Sequence, residues 1–462
     1  MSFTRRHFLA GAASAVPLFA KKKEKAERPP NIVLIMGDDL AAWMLGIYGN
    51  KEIRTPGIDL LAREGMRFSN HVVCTPSDSP SRATLFTGRT PMQHGIEDFL
   101  TSHPIAEPPQ GQVAPPPSFA NEIMVSDLLA ARSFVCGYTG KWHMGADEKP
   151  QHGFKFWYTM PGGTESYQDP VMSWNGQTVQ EKGYLTDLIT KKAVEFLETQ
   201  TASQPFFLVA SYLNPHTPYD GHPKKYYDLY SDTNFDTIGW QPTASNASRD
   251  KNYLTDIVAN LRKCAAATTA LDDQIPVLLH TLNQRGLRDN TLVIFTSGNG
   301  FLLGRHGLWS AGLASYPVNM YEEVMQTPMI WSWVGKTPVE AVRPELVSAY
   351  DFLPTLCEVT GTAPPGGRNL CGRSYLRLVL NQPFPKKEPW RNVAFGHFRD
   401  TDMCHDSRFK LIQRKNGAGP NELYDLSKDP HEQLNHVEDP QFLTVRDGLG
   451  HEIAAWRQKY SA

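Results

Sequence analysis

Three things are scarce in this chain of 462 residues: closely spaced cysteines, long apolar runs and net charge. Its six cysteines are Cys74, Cys136, Cys264, Cys357, Cys371 and Cys404, and none stands in C-x-x-C spacing. That excludes the usual zinc cluster and a disulfide-stapled miniature fold. Cys357 and Cys371 are the closest pair; an oxidising compartment permits a bridge between them, and buried free thiols are the alternative reading. No run approaches ~18 apolar residues, so no membrane-spanning helix is expected. A formal net charge of −2 provides no field to gather nucleic acid or an anionic membrane. Internal repeats, low-complexity tracts and nucleic-acid motifs are also missing. What is present is 40% hydrophobic residues, enough for a large core and two or three domains.

Arg5 and Arg6 precede Phe8, Leu9 and a short apolar stretch that ends near Ala20. This is the pattern of a twin-arginine export signal, so residues 1–20 are set aside and the mature protein is expected to be periplasmic or secreted. A basic linker, residues 21–29, follows. Asn31-Ile-Val-Leu-Ile-Met36 then suits a strand buried on both faces, with Asp38 and Asp39 delivered at its C-terminal end. Ligand sites of open α/β sheets form at such ends. Similar strands are expected at Phe206–Tyr212, Leu292–Ser297 and Met329–Trp333. Between them Leu185, Ile189, Ala193 and Phe196 share one helical face, and Tyr253–Arg285 reads as one long, mostly helical stretch. The fold class expected is α/β: a mostly parallel sheet between helices over residues 30–380. Residues 381–462 are expected to form a small α+β subdomain, with strands at Asn392–Phe398, Phe409–Arg414 and Glu422–Leu426 in an antiparallel sheet. A terminal helix at Phe442–Lys459 completes it.

Several motifs recur in order over most of the chain. Asp38-Asp39-Leu40, Thr55-Pro56, Pro80-Ser81-Arg82-Ala83-Thr84, Gly140-Lys141-Trp142-His143, Pro215-His216-Thr217-Pro218, Asn299-Gly300 and His306-Gly307-Leu308-Trp309 form the series. Together they resemble the formylglycine-dependent sulfatases of the alkaline phosphatase superfamily. The resemblance implies a divalent cation, usually Ca2+, held by oxygen ligands beside the sulfate. It also implies a Cys or Ser oxidised to formylglycine as nucleophile, with Arg, Lys and His around the sulfate. Carried over residue by residue, Asp38, Asp39 and Asn299 match metal ligands. Arg82, Lys141, His143 and His216 match sulfate-contacting groups, expected together in one cleft.

Three positions depart from the family pattern. Counting back from Pro80-Ser81-Arg82 puts Asp78 where Cys or Ser should stand. Cys74-Thr-Pro-Ser77 is a second candidate, but Asp78 rather than Arg follows it, so formylglycine is not expected there. Gly298 replaces a metal-binding Asp, and Ala311 replaces a Lys. The site has thus lost one carboxylate and gained another, and Asp78 is a candidate metal ligand beside Asp38, Asp39 and Asn299. An opposing reading makes Asp78 a nucleophile, although an anionic carboxylate would then attack an anionic ester. Losing a nucleophile costs on the order of 10⁴ to 10⁶ in rate, with positioning leaving some residual catalysis.

Two functional readings follow. One is a sulfuric ester hydrolase with weak or lost activity; the other is a non-catalytic periplasmic binder of sulfated glycans or small anions. Both expect an anionic small molecule or glycan as partner. The leaving group is not legible, because Gly153–Gln168 and Tyr219–Ser248 match no pattern.

Overall fold

A computed structural model describes residues 28–101 and 111–461. The twin-arginine segment and most of the basic linker lie outside the described residues. The centre is a ten-stranded sheet whose five middle strands run parallel, in the order Thr291–Ser297, Asn31–Asp38, Phe206–Pro215, Val135–Gly140 and Phe156–Thr159. Antiparallel pairings flank them on both sides, to Met329–Trp333 next to Thr291–Ser297 and to Val171–Trp174 next to Phe156–Thr159, and the outermost strands of the sheet are Ala341–Arg343 and Gln177–Gln180.

Alternation explains why these strands are apolar at nearly every position. Ile32, Leu34 and Met36 enter one core with Phe207, Val209, Leu292 and Ile294. Val33 and Ile35 enter the other with Leu208, Ala210, Val293 and Phe295. Successive side chains point to opposite faces, and both faces are covered. Helices Leu185–Thr199, Ile257–Asp272 and Gln274–Gln284 pack on one side. Helices Asp78–Thr87, Val125–Ala131 and Phe352–Thr360 pack on the other.

The mostly helical stretch Tyr253–Arg285 holds two main helices, with a break at Asp273. Pro276 explains the break: it lacks an N–H and its ring would press on the carbonyl of Asp272, so it is tolerated only in the first turn of a new helix. Val135–Gly140, with two glycines in six residues, carries too little apolar signal to have been expected as a central strand.

A separate four-stranded antiparallel sheet comprises Ala394–Phe398, Thr401–His405, Phe409–Arg414 and Glu422–Asp425. Helix Leu443–Tyr460 packs Leu449, Ile453 and Trp456 against it. Thr401–His405 escaped the sequence reading because buried Asp402 and His405 break its apolar pattern. All six cysteines are free, so Cys357 and Cys371 are not bridged. Among the described residues no helix is long and apolar enough to cross a membrane.

Candidate active site

The parallel strands deliver their C-terminal ends to one edge of the sheet. Asp38 closes the first strand beside Pro215, Gly37 pairs with Ser297, and Gly140 pairs with Ser211. Consequently Asp38 and Asp39, Lys141 and His143, His216 and Asn299 emerge from four adjacent strands. Asp39 and His143 have φ of 57° and 55°, a left-handed backbone that is costly for residues with a Cβ. Asp78 and Arg82 come from elsewhere, the first and second turns of helix Asp78–Thr87. At the helix N-terminus the peptide dipoles favour a carboxylate such as Asp78.

These groups form one charge network. The Arg82 guanidinium donates to Asp38 at 3.0 Å, to the Ser211 hydroxyl at 2.8 Å and to the Lys141 carbonyl at 3.0 Å, and it also holds Asp78. Lys141 Nζ lies 2.6 Å from Asp38 and 2.7 Å from Asp78. His143 Nδ1 meets Asp78, while its Nε2 faces the Leu100 carbonyl at 3.0 Å. Burial would raise the Asp78 carboxyl, but Arg82, Lys141 and His143 outweigh it and hold it well below the usual range. Burial would likewise lower the Lys141 ammonium, yet Asp38 and Asp78 raise it.

The Asp39 side is different. Asn299 Nδ2 donates to Asp39 at 2.8 Å, and His216 Nε2 lies 3.8 Å from it. His216 Nδ1 is turned to the Thr217 carbonyl at 2.6 Å. Burial pushes Asp39 up to about 6, against the opposing charge of His216. Asn299 Oδ1 is buried with no hydrogen-bond partner among the described residues, an arrangement that costs free energy unless something fills it. Among the described residues no three His, Cys, Asp or Glu side chains are grouped as a metal cluster. The donors nonetheless fit a hard cation: all are oxygens, Asn299 Oδ1 is orphaned, and Asp39 is desolvated without a Lys or Arg salt bridge.

Asp39, Asp78, Lys141, His143, His216 and Asn299 line a cavity of about 100 Å³; Asp38 and Arg82 are fully buried. A Cβ built on Gly298 would sit 3.4 Å from Asp78 Oδ1 and 3.5 Å from Asp38 Oδ1, so that position faces the carboxylates directly. Ala311 lies on the cavity wall, too short to reach across it. Cys74 is fully buried outside this set, and burial drives its thiol well above the usual range. Arg249 also lines the cavity. Sequence reasoning missed it because the surrounding Ser-Arg-Asp belongs to no motif.

Residues 30–362 match the family model described as Sulfatase. The chain belongs to the sulfatase family. Residues 317–459 also match the model described as N-sulphoglucosamine sulphohydrolase, C-terminal. Among similar sulfatases is the N-acetylglucosamine-6-O-sulfatase of Bacteroides thetaiotaomicron, 25% identical, covering 92% of this chain and 85% of that protein. The ulvan-active sulfatase of Formosa agariphila is 26% identical, covering 93% and 81%. A solved structure of a protein bound to its substrate D-glucosamine-2-N,6-O-disulfate shares this fold, with a TM-score of 0.78 and 23% identity over 94% of this chain and 98% of that one. The sulfatase family generally uses a divalent cation.

Proposed function

We propose that this sulfatase-family protein takes sulfated saccharides into the cavity and cleaves their sulfate esters slowly, without a formylglycine nucleophile. The reading is supported by the Asp78 carboxylate, which Arg82, Lys141 and His143 hold and which the count back from Pro80-Ser81-Arg82 puts at the family's nucleophile position. A carboxylate held well below its usual range is a weak base and a weak nucleophile. Asp78 therefore serves as an anchor: it fixes Arg82, Lys141 and His143 and occupies valences that would otherwise meet a substrate anion. That same occupancy favours a second reading, a non-catalytic binder of sulfated glycans, which differs only in having no turnover at all.

Asp39 and Asn299, with Asp38, would hold a divalent cation such as Ca2+, which when bound supplies positive charge beside the ester oxygens; Asp78, expected from the sequence as a further ligand, is committed instead to Arg82, Lys141 and His143. His216, with Nδ1 fixed on the Thr217 carbonyl, directs Nε2 toward Asp39 and is placed to hand a proton to the departing sugar oxygen as a solvent water bonds to sulfur and the ester S–O bond breaks, giving sulfate and the free sugar hydroxyl, with the water's proton returning to the ring. Export to the periplasm rests on Arg5 and Arg6, and the division into residues 30–380 and 381–462 on the change in sequence pattern.

Names of relatives direct the ligand test to 6-O-sulfated N-acetylhexosamines. Isothermal titration of the mature protein, with calcium present, is expected to show saturable binding of N-acetylglucosamine 6-sulfate and none of N-acetylglucosamine. Equal binding of the two, or of neither, contradicts the proposal.

A further inference from the structure

The cavity contains two long-chain cations, and they are in opposite states. Lys141 is bridged to both Asp38 and Asp78. Arg249 forms no hydrogen bond or ion pair among the described residues; its guanidinium lies 4.3 Å from the centroid of the Phe99 ring. Asp98, an acidic neighbour, is engaged by Arg399 at 2.7 Å. Burial lowers the Arg249 guanidinium by more than the nearby charges of Asp250 and Asp98 raise it, which marks a charge partly stripped of water. A guanidinium over an aromatic face is attracted to the ring without using its N–H donors, which stay available to an anion.

Its position is imposed by backbone pairing between two loops. Ala244 N–H donates to the Gly307 carbonyl at 3.0 Å and Ser248 N–H to Ala314 at 2.8 Å. Tyr316 N–H returns a bond to Asn246 at 3.0 Å, and Ala247 bridges Ser315. Gly312 N–H is tied to the Pro76 carbonyl at 3.0 Å, which sets this loop beside the residues leading into Asp78. Arg249 and Ala311 thereby come to the same wall. The side chain at 311 is a single methyl, and the nearby guanidinium can occupy the room it leaves.

We infer that Arg249 is the substrate-recognising cation of this cavity, donating in a bidentate manner to the sulfate group of a sulfated saccharide in place of a cation at position 311. This rests on the proposed function, and adds that recognition falls to a loop residue because Arg82, Lys141 and His143 are already committed to Asp38 and Asp78. Arginine suits the role because its planar fork matches two oxygens of a tetrahedral anion.

The test is titration of inorganic sulfate and of N-acetylglucosamine 6-sulfate into the wild type, Arg249→Ala, Arg249→Lys and the double variant Arg249→Ala/Ala311→Lys. A charge-assisted contact of this kind predicts affinity at least about tenfold weaker in Arg249→Ala. Arg249→Lys should retain part of it, and the lysine at 311 should restore binding that the alanine removed. Restoration from a second position is a result that loss of packing over Phe99 would not give. Wild-type binding with Arg249→Ala unchanged within twofold overturns this inference alone. No binding of either anion by the wild type overturns the anion-site reading and this inference with it.

Discussion

Asp78 and Gly298 act on each other through space. The Cβ that any larger residue at 298 would carry lies in van der Waals contact with Asp78 Oδ1 and close to Asp38 Oδ1. An aspartate there would bring a third carboxylate against two already sharing Arg82 and Lys141. Gly298→Asp is therefore expected to destabilise the wild type and to be tolerated, or stabilising, in Asp78→Ala. Urea unfolding of the two single variants and the double variant should give a coupling of about 1–3 kcal/mol; additivity within about 0.5 kcal/mol contradicts the relocation of one carboxylate from 298 to 78. The positions of these residues were legible because each stands within or beside an ordered motif. Arg249 was not, since what places it is hydrogen bonding between two loops with no repeating pattern.

Single elements set the precision of the site. Gly140 ends its strand at φ 98°, and a Cβ there would fall 1.8 Å from the Ser211 carbonyl. Only glycine allows both the turn and the close approach, and Lys141 follows immediately. Gly140→Ala should lower stability by roughly 2–4 kcal/mol, and a urea midpoint unchanged from the wild type would refute this reading. The apolar strands at Asn31–Asp38 and Thr291–Ser297 were legible because both their faces are buried, so nearly every residue is hydrophobic. Val135–Gly140 and Thr401–His405 hold their places through neighbours on both sides, and that pairing is invisible in a local window.

At the scale of the whole molecule, a buried charge triad ties the small sheet to the helix Glu322–Met325, which leads into strand Met329–Trp333 of the large sheet. Lys410, on a strand of the small sheet, lies 2.8 Å from Glu322 and 2.9 Å from Glu432, and all three are buried. One ammonium cannot neutralise two carboxylates. Burial, with the charge of Glu322 against the opposing Lys410, pushes Glu432 up to about 8. The folded protein therefore keeps a proton that the unfolded chain releases near its ordinary carboxylate value. This contribution to stability is full below the unfolded value and is lost as pH rises through about 8. Glu432→Gln should flatten the fall in unfolding free energy between about pH 5 and 8, measured in urea; an unchanged slope contradicts the assignment. The central claim is that Asp78 anchors the site's cations and does not attack the ester. It is tested most directly by turnover of 4-nitrophenyl sulfate and phosphate by the wild type and Asp78→Ala, with calcium present. Slow turnover in the wild type that persists or rises in Asp78→Ala is the expected result. A fall of about 10⁴-fold or more on removing Asp78, with ligand binding intact, would make it the nucleophile and contradict the account.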